Sequence, residues 1–173
     1  DYYASRGLGD VYKRQIQFAP NTNPTNPVDP TNPDPDKPIT PVDPTDPTGP
    51  KPGTAGPLSI DYASSLSFGE QTITSKNMTY YAETQKYKDN AGADQEGPNF
   101  VQVSDNRGTE TGWTLKVKQN GQFKTEANQE LTAAKVTLSN GRVVSASQSA
   151  KPTTAPATVS YTHLRAHETR SNL

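Results

Sequence analysis

Thirteen of the sixteen prolines fall between Pro20 and Pro57. Proline has no N–H to donate and holds φ near −65°, so this stretch can form neither the interior of a helix nor a central strand. From Pro24 the prolines recur every third residue, at Pro24, Pro27, Pro30 and Pro33, and again at Pro38, Pro41, Pro44, Pro47 and Pro50. Three residues per turn is the period of the polyproline II helix. The stretch also carries a short repeat, Pro27-Val28-Asp29-Pro30-Thr31 and Pro41-Val42-Asp43-Pro44-Thr45. The expected structure over residues 16–56 is an extended, disordered or polyproline II stalk, which at about 3.1 Å per residue would reach roughly 110–120 Å. A docking ligand for SH3-like or WW-like modules is the alternative, but basic flanking residues are missing. Lys51-Pro52-Gly53-Thr54-Ala55-Gly56 reads as a hinge at the end of the stalk.

The remainder must supply any core. Hydrophobic residues make up 29% of the 173-residue chain, a low share that the stalk largely explains. Beyond Pro57, aromatic and β-branched residues return at regular intervals, enough for a small domain. There is no cysteine, which excludes disulfides, thiolate nucleophiles and Cys-based metal sites. No run approaches the roughly 18 consecutive apolar residues of a membrane span, and no secretion signal opens the chain. A net charge of −1 lacks the basic footprint of a nucleic-acid binder.

Both ends look foreign to the rest. Asp10-Val11-Tyr12-Lys13-Arg14-Gln15 and Val159-Ser160-Tyr161-Thr162-His163-Leu164 can be translated from opposite strands of one short oligonucleotide. They resemble read-through of a sequencing-library transposon adapter. Residues 1–15 and 159–173 are therefore expected to be non-native, with an export signal upstream and further domain sequence downstream in the parent gene. His163 and His167, the only histidines, lie in that tail, and residues 16–158 carry 12 Lys and Arg against 15 Asp and Glu, a net charge of −3.

Between the two, short alternating runs point to strands. Leu58, Ile60 and Tyr62 share one side of a run, Leu66 and Phe68 another, and Val101 and Val103 alternate with Gln102 and Ser104. Trp113, Leu115 and Val117 alternate with Thr114, Lys116 and Lys118, the period of a half-buried strand. Asn120-Gly121 and Asn140-Gly141 suit type I′ hairpin turns, the second joining 136–138 to 143–145. Asp105-Asn106-Arg107-Gly108 reads as a tight turn. Helix signals are poor, with at most about one turn near 126–134. The expected fold is all-β, a sandwich-like antiparallel domain over residues 57–158, incomplete at its C-terminus and preceded by the extended Pro-rich linker.

Four motifs in order carry a resemblance. Gly56-Pro57-Leu58-Ser59-Ile60-Asp61-Tyr62, Leu66-Ser67-Phe68-Gly69, residues 99–108 from Asn99 to Gly108, and Gly112-Trp113-Thr114-Leu115-Lys116-Val117, followed by residues 131–141, resemble the WxL domain family. The resemblance implies a secreted surface protein of low-GC Gram-positive bacteria, held non-covalently on the cell wall through peptidoglycan or an associated wall polymer. It also implies a companion surface protein as a possible partner, and a second Trp-x-Leu motif near the C-terminus of the complete domain.

Candidate binding residues follow from the strand. Trp113, in phase with Leu115 and Val117, reads first as a packing anchor and second as a sugar-stacking platform. Thr114, Lys116 and Lys118 would line the wetter face and, with Asn106 and Arg107 in the turn, could contact a carbohydrate or the acidic groups of a wall polymer. Asp61 and Asp105 raise a carboxylate-pair idea for glycan cleavage, but nothing in the sequence brings them together. Without His or Cys in residues 16–158, serine, cysteine and zinc hydrolase chemistry is out of reach. The expectation is a non-enzymatic module with no catalytic residue, metal or cofactor, and no insertion into a membrane.

Overall fold

The structure, a computed structural model, describes residue 19 and residues 21–72, 74–109, 111–131, 133–147, 151–154 and 157–160. Residues 1–15 and 161–173, which hold most of the adapter-like sequence, lie outside the described residues. The fold class is the one expected, since the described residues contain antiparallel strands and no helix. Seven strands form three small sheets: β1 (Thr40–Pro41), β3 (Gln85–Lys88) and β4 (Asp94–Gly97) in the order β1-β3-β4; β2 (Leu58–Ala63) with β5 (Val101–Asp105); and β6 (Lys135–Leu138) with β7 (Ala157–Ser160). Val159 and Ser160, at the start of the tail expected to be non-native, pair with Val136 and Lys135.

The β3–β4 hairpin was not marked in the sequence by any apolar run. Gln85 and Tyr87 are buried while Lys86 and Lys88 are exposed, so the alternation is there with polar residues standing where apolar ones are usual. Its turn is built by Asp89. The Asp89 carboxylate accepts from the Ala91 and Ala93 amides, both at 2.9 Å, and Gly92 takes the left-handed conformation at φ 83°. Such a three-residue loop closing on an αL glycine is a common hairpin connection.

β2 departs from its expected facing. Leu58 and Ile60 are about 38–39% exposed, whereas Ser59, Asp61 and Tyr62 are buried. The cause is a bulge: Ile60 pairs with Val103 but Tyr62 with Gln102, leaving Asp61 as the extra residue. One inserted residue flips every later side chain to the other face, so Tyr62 turns inward out of phase with Ile60. Gly53 lies against this bulge, where a Cβ would sit 2.3 Å from the Asp61 carbonyl oxygen. The hinge glycine is thus a packing requirement. Thr54 completes the contact by donating its N–H to Ile60 O at 2.8 Å and accepting from Ile60 N at 2.9 Å.

The proline-rich segment is not all free stalk. Ile39 is buried, Val28 bridges Pro38, and Thr40 and Pro41 pair with Lys88 and Tyr87 at the sheet edge, where a proline costs no ladder bond. The two Pro-Val-Asp-Pro-Thr copies share one local device. Asp29 accepts from Thr31 N and Oγ1, both at 2.7 Å, and Asp43 accepts from Thr45 N and Oγ1 at 2.8 and 2.7 Å. Asp46 and Thr48 repeat it a third time. Each bracket satisfies backbone that proline-rich chain would otherwise leave to water. Each repeat is then held by a glutamine from a strand: Val28 N donates to Gln102 Oε1 at 2.9 Å, and Gln85 Nε2 donates to Val42 O at 2.8 Å.

The core is correspondingly polar. Among the described residues the buried apolar or aromatic side chains are Ile39, Pro41, Tyr62 and Tyr87, beside buried Ser59, Asp61 and Gln85. The Asp61 carboxylate receives Ser59 Oγ at 2.7 Å, Ser104 Oγ at 2.6 Å and Gln102 Nε2 at 3.1 Å, which is the saturation a buried carboxylate requires. Tyr62 stacks at a tilt on Phe100 with centroids 4.8 Å apart and donates to Gln85 Oε1 at 2.7 Å. Burial pushes its phenol pKa up.

Candidate functional site

The turn expected at 105–108 is present and tightly braced. Arg107 pairs with Asp105 through two bonds, Nε to Oδ1 at 2.9 Å and Nη2 to Oδ2 at 2.8 Å. The same Nη2 donates to the Gly112 carbonyl at 2.6 Å, and Asn106 N donates to Pro57 O at 2.6 Å. Arg107 therefore fixes both ends of the loop that leads into Trp113. The guanidinium bonds hold the Asp105 carboxyl at a pKa of about 2 and push Arg107 up. This bidentate geometry is specific to arginine.

The strand expected from Trp113 onward does not form. Residues 113–118 pair with no strand among the described residues, and Leu115 and Val117 are 46% and 48% exposed. Trp113 itself is half-buried, with Thr114, Lys116 and Lys118 exposed. An alternating run becomes a buried strand only when a neighbour supplies ladder bonds and a covering surface; here the alternation remains without the burial. The expected Asn120-Gly121 turn also differs, since only Gly121 has positive φ, at 97°, and a type I′ turn needs both. The chain turns later instead, where Lys124 bridges Glu130 with Asn128 at φ 63°. That replaces the helical turn expected near 126–134.

Two further expectations are corrected. No strand forms around Leu66 and Phe68, which are half-buried. Asn140-Gly141 does not close a hairpin onto 143–145: Asn140 has φ 57° without a matching Gly141, and β6 pairs with residues 157–160 instead. Gly141 O accepts from Thr154 Oγ1 at 3.0 Å along the longer connection.

Of the seven candidate binding residues, the structure ties Arg107 to the approach of Trp113 and leaves Thr114, Leu115, Lys116 and Lys118 exposed on one extended segment. Asn106 is exposed beside the brace. Asp61 and Asp105 do not form a carboxylate pair, because the first is enclosed by Ser59, Ser104 and Gln102 and the second is occupied by Arg107. No group of three or more His, Cys, Asp and Glu among the described residues could hold a metal ion. The residues that sequence reasoning missed are Gln85 and Gln102, whose signal was a long amide at an inward strand position.

These features define an antiparallel β module with a half-buried tryptophan on an otherwise exposed, braced segment. Comparison with protein-family models gives a match to the WxL domain, a surface cell wall-binding domain, over residues 12–172. The chain belongs to the WxL family. The match spans the proline-rich segment as well as the β elements. Neither a search of curated proteins nor one of solved structures gives a significant match. The family is one of wall-binding domains and not of enzymes, and no helix among the described residues is long and apolar enough to cross a membrane.

Proposed function

We propose that this chain attaches a secreted surface protein non-covalently to the cell wall by direct contact with peptidoglycan. The observation that carries the reading is the segment 113–118, which presents half-buried Trp113 with exposed Lys116 and Lys118 and is aimed by the Arg107 brace. A tryptophan face suits the apolar face of a sugar ring, and the two lysines with Thr114 and Asn106 suit its polar groups or nearby anionic wall polymer. We read no catalytic step here, since neither Asp61 nor Asp105 is free to act as acid or nucleophile.

A second reading, a protein-interaction module working with a companion surface protein, is favoured by the apolar outer face of the β2–β5 pair. Leu58, Ile60 and Val101 are each more than a third exposed there, and exposed apolar surface marks contact sites. Sedimentation of the purified chain with protein-free peptidoglycan separates the two. Co-sedimentation without any other protein supports direct attachment; binding that needs an added companion protein overturns it.

A further inference from the structure

Between the first proline-rich repeat and the β3–β4 hairpin lies an open depression of about 280 Å³, lined by no residue of the Trp113 segment. Its apolar base is Ile39 and Tyr87, 7% and 6% exposed. Its rim carries three side-chain amides, Asn32, Asn90 and Gln95. The Asn32 and Asn90 side chains have no hydrogen-bond partner among the described residues, and Gln95 uses only its nitrogen, donating to Asp89 Oδ2 at 3.2 Å.

The carboxylates around them are already committed. Asp29 is bracketed by Thr31 and Asp89 by the Ala91 and Ala93 amides. Burial works to raise the Asp29 pKa, but the bonds from Thr31 and Asn32 outweigh it, so the group stays charged. Lys37, the lining cation, is paired to Asp34 at 2.9 Å. The lining is therefore net negative, with bracketed carboxylates and free amides. A phosphate-bearing polymer would meet repulsion there. A neutral molecule with vicinal hydroxyls and acetamido groups would find bracketed carboxylate acceptors and unpartnered rim amides, above a small apolar floor.

We propose that this depression is a subsite for a neutral, hydroxyl- and acetamido-bearing glycan unit, separate from the Trp113 segment. The inference rests on the wall-attachment reading and deepens it, assigning the neutral sugar strand to the 29–39 and 87–95 surface. The volume of about 280 Å³ lies just below the roughly 300–1,000 Å³ of small-molecule sites, so it takes one unit of a polymer and not several. The pre-braced carboxylates lower the ordering cost of binding.

The test is an NMR titration of the full chain with the β-1,4-linked tetrasaccharide of N-acetylglucosamine and, separately, with poly(glycerol phosphate). The tetrasaccharide should shift the side-chain amides of Asn32, Asn90 and Gln95, with an affinity that is insensitive to salt. Asn32→Ala and Asn90→Ala should each weaken it about three- to tenfold, the effect of losing one or two hydrogen bonds. Both residues are exposed, so the variants keep the fold. Unchanged affinity in the double variant, shifts confined to residues 113–118, or saturation of the same amides by poly(glycerol phosphate) would each overturn the subsite. Absence of tetrasaccharide binding with wall sedimentation intact overturns the subsite alone; loss of both overturns the attachment reading too.

Discussion

Tyr62 and Gln85 offer the sharpest test of how the proline-rich segment is held. Tyr62→Phe removes the phenol that donates to Gln85 Oε1 at 2.7 Å and leaves a buried amide oxygen without its donor. An orphaned buried polar group costs about 1–3 kcal/mol. Gln85→Met keeps the volume and orphans two groups, the Tyr62 hydroxyl and the Val42 carbonyl, because Lys86 O retains Val42 N at 2.8 Å. That variant should lose about 1–3 kcal/mol, chiefly from the buried Tyr62 hydroxyl because the Val42 bond is part-buried, a large share of the total for a small domain. In the double variant the tyrosine oxygen is no longer present to be orphaned. The two changes should therefore combine sub-additively, with an interaction energy of about 1–2 kcal/mol. Urea unfolding at constant m-value measures all four corners of the cycle, and amide exchange at Val42 shows whether the second repeat detaches in Gln85→Met. Additivity within about 0.5 kcal/mol, or Val42 exchanging freely in the parent protein, would refute the docking of this segment.

Other consequences are more local. Gly53→Ala forces a methyl into the Asp61 backbone at 2.3 Å and should destabilise by about 1–3 kcal/mol, read as a lowered urea midpoint; Gly49→Ala, with open space but φ 105°, should leave the Asp61 side-chain resonances unmoved where Gly53→Ala shifts them. Asp105 has its folded pKa depressed from 3.8 to about 2, so its contribution is complete above 3.8 and is lost as pH falls through about 2; a carboxyl titration by NMR with a midpoint at or above 3.8 would contradict the Arg107 pairing. Arg107→Ala should free the loop at Gly112 and red-shift the emission of Trp113, the sole tryptophan, whereas an unchanged spectrum would mean that Arg107 does not position it.

The β class was legible because residues 58–62 and 101–105 alternate and are cut by turn residues. The facing of β2 was not, since it depends on a one-residue bulge at Asp61 that no local pattern announces. The β3–β4 hairpin escaped because its inward positions are Gln85 and Tyr87; the burial of Gln85 is stabilised by specific hydrogen bonds with distant residues, which periodicity cannot foresee. Proline spacing suggested an extended chain, whereas at the Asp-Thr brackets the chain bends. Docking of that chain depends on Gln102 and Gln85, 74 and 43 residues away from Val28 and Val42. At the candidate site the sequence marked Trp113 and the Asp105 to Gly108 turn. The link between them through Arg107 and the Gly112 carbonyl needed three dimensions.

Direct wall attachment is tested most simply by a binding isotherm of the intact chain on purified walls, before and after stripping of proteins and anionic polymers. Saturable binding that survives both treatments, and that Trp113→Ala weakens, is the expected result. Binding that disappears with the wall proteins, or with the anionic polymers alone, would contradict attachment through the peptidoglycan itself.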